Sequence, residues 1–254
     1  MLIAFDIGNT TIGIGLFEGK KLAKSWKVKT DRDKTADEYS VLVEDLFSLA
    51  GFSREAVDGA IISSVVPPLT PVLEAMVAAC FGVRALVVGP GLKTGMPILY
   101  ESPQEVGADR ITASVAAFEK YGGPVIVVDF GTATTFDVVS ARGEYLGGAI
   151  APGVQIAAEA LYLKTARLPR IEIRKPARAI GRTTVASMQS GLYYGYLGLV
   201  TRTVEELRRE LGEAARVVAT GGFGAVVQPE IDFITAYEPD LVLEGLRVIF
   251  DRNR

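Results

Sequence analysis

The stretch VIVVDFGTATT, Val125 to Thr135, has a near twin at the start of the chain, LIAFDIGNTT, Leu2 to Thr11. In each, an apolar run that reads as a buried strand ends in an aspartate, Asp129 or Asp6. One apolar residue, a glycine and a polar residue follow. Both copies then continue through threonines into a second strand, Ile12–Phe17 or Phe136–Val139. A glycine turn and a third strand come next, Leu22–Val28 in one copy and Tyr145–Ile150 in the other. A match of about twenty residues made once is too short and too few for a solenoid. It predicts an α/β protein of two related lobes, each a mixed sheet that opens as a β-meander and adds flanking helices. The boundary falls near Gly122-Gly123, giving an N-terminal lobe over 1–121 and a C-terminal lobe over 122–254.

Working outward, Thr35–Ala50 carries apolar residues at helical spacing and is closed by Gly51. Ala60–Val66 reads as a strand, Pro68–Phe81 as a helix and Ala85–Val88 as a strand. Ser102-Pro103-Gln104-Glu105 has the pattern of a capping box with proline at the first helical position. It predicts a helix from there to about Tyr121. In the second lobe, helices are expected over Val154–Leu163, Thr184–Leu211 and Leu241–Phe250, with a Pro- and Arg-rich connector over Leu168–Arg178. Gly191, Gly195 and Gly198 lie inside the long helix, where each glycine costs roughly 1 kcal/mol. Three of them on one helix point to close packing against another helix or subunit.

The 254 residues are 49% hydrophobic, enough for a sizeable core, and carry a net charge of −3, which argues against a broad nucleic-acid surface. The chain has no histidine and one cysteine, Cys80. Imidazole bases, His-ligated zinc and disulfide frameworks are therefore excluded, and acid–base chemistry falls to carboxylates, lysines, tyrosines or the lone cysteine. No signal peptide and no membrane-length apolar run is visible, so a cytoplasmic protein with no membrane partner is expected.

Gly8, Asn9, Thr10 and Thr11 form a turn in which glycine admits a phosphate to the backbone, and hydroxyls and N–H groups donate to it. Asp6 would repel a bare phosphate by about 4 kcal/mol at 4 Å and a dielectric near 20, so a cation between the two is implied, usually Mg²⁺. One such turn alone reads better as a structural Asx turn closing a hairpin. The second copy, Asp129-Phe-Gly-Thr132, shifts the balance towards a nucleotide site, with the two turns facing each other across a cleft. Thr220-Gly221-Gly222 after a strand is a third turn that lets a flat ring approach backbone. Gly107-Ala108-Asp109-Arg110 places a carboxylate beside a guanidinium among small residues, a pairing suited to phosphorylating an alcohol.

The paired acidic turns resemble the actin-like ATPase and sugar-kinase superfamily, whose lobes have the ribonuclease H-like fold. Asp6-x-Gly-Asn-Thr10, Gly107-Ala-Asp-Arg110, Asp129-x-Gly-Thr-Ala-Thr-Thr135 and Gly147-Gly-Ala-Ile-Ala-Pro-Gly153 occur in the order seen in type III pantothenate kinases. The similarity runs from Met1 through Gly222.

This resemblance implies transfer of phosphate from ATP to pantothenate, giving 4′-phosphopantothenate, the first step of coenzyme A biosynthesis. Asp6, Ile7, Gly8, Asn9, Thr10, Thr11, Ile12 and Gly13 would line the ATP phosphates, with Asp6 near Mg²⁺. Thr132 would contact ATP, and Gly221 and Gly222 its adenosine. Asp109 would be the general base, with Tyr100, Gly107, Ala108, Asp109 and Arg110 forming the pantothenate site. Asp129 would bind a monovalent cation, K⁺ or NH₄⁺. Thr184 would complete the substrate site, from the partner in a homodimer. The competing expectation is a non-enzymatic transcription accessory protein on the same fold, which would be expected to lose these carboxylates. Gly147–Gly153 reads as a tight bend, and the charge run Lys27–Lys34 as a solvated loop.

Overall fold

The computed structural model describes residues 1–212 and 214–254, in two compact units: Met1–Lys120 with Asp240–Arg254, and Tyr121–Pro239. In chain order the strands and helices are β1 (Leu2–Ile7), β2 (Thr11–Glu18), β3 (Lys21–Lys29), α1 (Ala36–Ala50), β4 (Gly59–Ser64), α2 (Thr70–Phe81), β5 (Ala85–Val87) and α3 (Ala108–Tyr121). They are followed by β6 (Val125–Phe130), β7 (Ala133–Val139), β8 (Tyr145–Pro152), α4 (Val154–Lys164), α5 (Thr184–Leu211), β9 (Arg216–Thr220), α6 (Gly224–Val227), β10 (Ile234–Tyr237) and α7 (Leu241–Asn253).

The two sheets have the same topology. The first runs β3-β2-β1-β4-β5 and the second β8-β7-β6-β9-β10. In each, the meander is antiparallel and the later strands join parallel to the strand that carries the aspartate. Mixed sheets with helices covering them bury apolar side chains on both faces. One face of the first sheet, with Ile3, Phe5, Ile7, Ile12 and Ile14, packs against Tyr39, Val43 and Phe47 of α1 and Leu73, Met76 and Val77 of α2. On the second sheet Ile126, Val128, Phe130, Phe136 and Val138 pack against Tyr196, Val200 and Val204 of α5.

Helix ends follow local chemistry. Thr35 and Glu38 form a capping box at the start of α1, and Gly51 closes it in the left-handed conformation. The box expected at Ser102 is absent. Ser102 makes no side-chain cap bond, and Pro103–Glu105 is one turn of 3-10 helix ending at an extended Val106. The helix starts afresh at Ala108. Asp109 and Arg110 therefore lie in its first turn rather than two turns inside it.

The last helix also departs from expectation. Residues 122–254 were read as one lobe, but α7 clusters with the first unit. Its Leu243 lies under Gly13 and Gly15, and its Phe250 fills the space that a side chain at Gly59 would take. Gly147–Gly153, read as a bend, is mostly β8. β10 has no counterpart in the sequence reading. Among the described residues, the three glycines of α5 would meet nothing within 4 Å if each bore a Cβ, so the close packing they suggest is not made there.

Candidate active site

The first acidic turn is the β1–β2 hairpin. Asp6, next to last in β1, stands opposite Gly13 of β2, and the Gly8 N–H donates to the Thr11 carbonyl (3.0 Å) to close the turn. A Cβ at Gly13 would lie in van der Waals contact with the Asp6 Cβ (3.7 Å), so glycine there leaves that flank of the acid uncovered. Asn9, Thr10 and Thr11 are exposed. Ile7 and Ile12 are fully buried core residues, so only their backbone could meet a nucleotide. The loop after β3, read as solvated, is bound to this turn. The Thr30 hydroxyl donates to the Gly8 carbonyl (2.6 Å), and Arg32 Nη2 donates to Asn9 Oδ1 (2.8 Å). Arg32 thus brings a guanidinium to the turn. Nothing within the charge run distinguishes it from its neighbours.

The second acidic turn repeats the layout with different neighbours. Asp129 pairs with Thr135 of β7 and Thr220 of β9. Gly221 has φ +86°, and a Cβ there would overlap Asp129 Oδ1, so glycine is required both by conformation and by the carboxylate. The third sequence motif is thereby placed against the second. Gly222 is open, Thr132 is exposed, and the Gly153 N–H donates to the Thr132 carbonyl (3.2 Å). A residue that sequence reasoning missed is Asp137. It is buried, and it accepts hydrogen bonds from the Thr135 hydroxyl (3.0 Å) and the Tyr145 hydroxyl (2.8 Å). Thr134 shares a buried hydrogen bond with Tyr196, whose hydroxyl is pushed up to about 12, chiefly by burial.

Asp109 stands in the first turn of α3, capped by Gly107, whose carbonyl accepts from the Ile111 N–H (3.2 Å). The Arg110 N–H donates to Asp109 Oδ1 (2.8 Å), and a Cβ at Gly107 would come within 2.5 Å of that oxygen. The carboxylate is half-buried. Burial raises its pKa above the ordinary range, outweighing the Arg110 N–H and guanidinium, which lower it. Beside it is a cavity of about 710 Å³ whose lining includes Ser64, Val88, Leu92, Ile98, Gly107 and Ile111, a largely apolar wall with several small residues. Gly107 and Ala108 line this cavity; Tyr100, Asp109 and Arg110 are not among its lining residues. Thr184 is the exposed first residue of α5, in the other unit.

Among the described residues no three acidic, cysteine or histidine side chains gather as a metal cage. One carboxylate at a phosphate turn fits Mg²⁺ held mainly through phosphate and water.

A comparison with family models matches residues 2–206 to the type III pantothenate kinase family. The chain belongs to that family. A type III pantothenate kinase from Geobacter sulfurreducens is 53% identical over 254 residues, covering all of both chains. One from Moorella thermoacetica is 51% identical over 253 residues, again at full coverage of both. Among solved structures, the activator of the 2-hydroxyisocaproyl-CoA dehydratase from Clostridium difficile, with ADPNP bound, aligns with TM-score 0.59 at 13% identity. That alignment covers 99% of this chain and 94% of the other. The polyphosphate/ATP-glucomannokinase from Arthrobacter aligns with TM-score 0.50 at 15% identity, covering 100% and 99%. At these identities the structural matches establish the shared fold, that of the actin-like ATPases and sugar kinases. The pantothenate kinase family is ATP-dependent and needs a divalent metal, and no helix among the described residues is long and apolar enough to cross a membrane.

Proposed function

We propose that this pantothenate kinase family member transfers the γ-phosphoryl group of ATP to the primary hydroxyl of pantothenate, yielding ADP and 4′-phosphopantothenate. The observation that carries the reading is Asp109. It is a half-buried carboxylate with a raised pKa, in the helical turn that also supplies the wall of a 710 Å³ cavity. A carboxylate destabilised as an anion is a better acceptor for an alcohol proton than an exposed one. In the reaction the hydroxyl oxygen bonds to the γ-phosphorus, the bond to the bridging oxygen breaks, and Asp109 takes the proton. Arg110, next in the chain, meets the carboxylate of the substrate or the developing phosphoryl charge. Mg²⁺, when bound with the nucleotide, neutralises charge on the phosphoryl oxygens.

Asp6 and the backbone of the Gly8–Gly13 turn hold the phosphates, and Arg32 adds a cation to that set. Thr132, Gly221 and Gly222 take the nucleotide in the second unit. Asp129 binds K⁺ or NH₄⁺; the lack of a side chain at Gly221, where a Cβ would overlap Asp129 Oδ1, supports this role by keeping that volume clear. The exposed glycine face of α5 supports a homodimer in which Thr184 serves the partner's substrate site. The enzyme works in the cytoplasm. The transcription-accessory reading is not favoured, since Asp6, Asp109 and Asp129 are all retained.

The test is ADP release from ATP, Mg²⁺ and K⁺, with and without pantothenate, and with pantoate and simple sugars as alternative acceptors. Release stimulated by pantothenate alone is expected. No stimulation in folded, dimeric protein would return the weight to another acceptor or to a regulator.

A further inference from the structure

We infer that Ser63 is a positioning residue for Asp6, its hydroxyl serving to orient that carboxylate when it engages the metal–nucleotide complex. The inference rests on the assignment of Asp6 to the nucleotide site. In the parallel pairing of β1 and β4, Ser63 stands directly beside Asp6. Paired residues on neighbouring strands project to the same face of a sheet, so the hydroxyl and the carboxylate share one side. The opposite neighbour, Gly13, has no side chain, and beyond it that face is covered by apolar α7: Leu243 lies at Gly13, and Phe250 at Gly59 further along β4. The acceptor that the register sets next to the serine is therefore the Asp6 carboxylate.

Ser63 is fully buried, and its Oγ makes no hydrogen bond in the protein. A buried hydroxyl without a partner destabilises the fold, and alanine of nearly the same shape would serve packing better. Its presence at this position is explained if the bond is made in the working state. A hydroxyl bonded to one carboxylate oxygen fixes the side chain and leaves the other oxygen for its ligand, as outer-shell groups do at metal sites. The second unit places a hydroxyl at the matching position: Thr220, also buried, is the parallel-strand neighbour of Asp129.

Ser114 provides the control. It too is buried with an unpartnered Oγ, but it lies on α3 about 140° around the helix from Asp109. In the full-length enzyme, Ser63→Ala, Ser63→Thr, Ser114→Ala and Asp6→Asn would be compared by three readouts. These are Tm without nucleotide, the Tm gain on adding a non-hydrolysable ATP analogue with Mg²⁺, and the Mg²⁺ midpoint for turnover.

The expected result is that Ser63→Ala keeps or raises the nucleotide-free Tm. Its analogue-induced gain shrinks, its Mg²⁺ midpoint rises, and its kcat/KM falls roughly 10-fold. Ser63→Thr restores the midpoint, and Ser114→Ala matches wild type in its Mg²⁺ response. A Ser63→Ala enzyme with wild-type Mg²⁺ midpoint and analogue response, beside an Asp6→Asn enzyme that loses both, overturns the inference alone. If Asp6→Asn also leaves both unchanged, the assignment of Asp6 fails and the inference with it. A lower nucleotide-free Tm in Ser63→Ala with an unchanged Mg²⁺ midpoint makes Ser63 a structural residue and likewise overturns it.

Discussion

The two acidic turns come from one pattern and are built into different surroundings. Asp6 sits between a glycine and a serine, on a sheet whose unit also contains the Asp109 cavity. Asp129 sits between two threonines with Gly221 pressed on its oxygen, next to a buried network of Thr135, Asp137 and Tyr145. The first turn exposes Asn9, Thr10 and Thr11 and is tied to the loop after β3 through Thr30 and Arg32; beside the second, Thr135 and Tyr145 both donate to Asp137. On the roles proposed above, the duplicated backbone would divide the labour, one half serving acceptor and phosphate chemistry and the other holding an ion and part of the nucleotide.

Four substitutions would sharpen or break that division. Asp109→Asn in the first unit should leave the fold intact and lower kcat by roughly 10²–10⁴-fold, the range for losing a general base; steady-state turnover of folded protein checks this. Asp109 also has a sign in pH. Its folded pKa is raised, so its ionisation opposes folding. The stability it allows is fully present below the ordinary carboxylate range and is lost as pH rises through the folded value. Thermal melts should therefore show Asp109→Asn gaining on wild type above that range. The wild-type activity should fall, on acidification, at a higher pH than an ordinary aspartate would give.

Asp129→Asn should cost less, roughly 10–100-fold, with loss of the response to K⁺ or NH₄⁺; rates in K⁺ and in Na⁺ buffers test it. An Asp129 variant as damaging as Asp109→Asn, with cation response retained, would break the division. Gly221→Ala should destabilise the second unit by about 1–3 kcal/mol, because a side chain at positive φ is strained and overlaps Asp129; denaturant unfolding measures this. The smallest effect is expected from Tyr196→Phe, about 1 kcal/mol for the lost bond to Thr134, read by the same unfolding.

Much of this was legible in contiguous residues. The strand–Asp–x–Gly pattern placed both hairpins, because strand and turn propensities act over a few neighbours. The segment Gly107–Arg110 was also found, but its helix start was misjudged. Ser102 and Glu105 have the right spacing for a capping box, yet Val106 is extended and the helix begins only after Gly107, where a side chain would displace the Asp109 carboxylate. Ile7 and Ile12 show the limit of listing a motif whole: strand alternation turns their side chains into the core. Arg32 was hidden because one cation in a charge run carries no local mark of what it will touch.

The sequence alone determined that there are two halves, that each presents an aspartate at a glycine turn, and that an Asp-Arg pair lies between those two turns in the chain, within the first half. Those features depend on alternation, turn chemistry and order, which are local. Only the tertiary structure decided that Ser63 lies beside Asp6, that Gly221 lies against Asp129, and that α7 returns to the first unit. Each depends on which distant strand pairs in which register and on which helix covers the face. Those choices are settled by burial summed over a whole sheet, not by the residues that end up in contact.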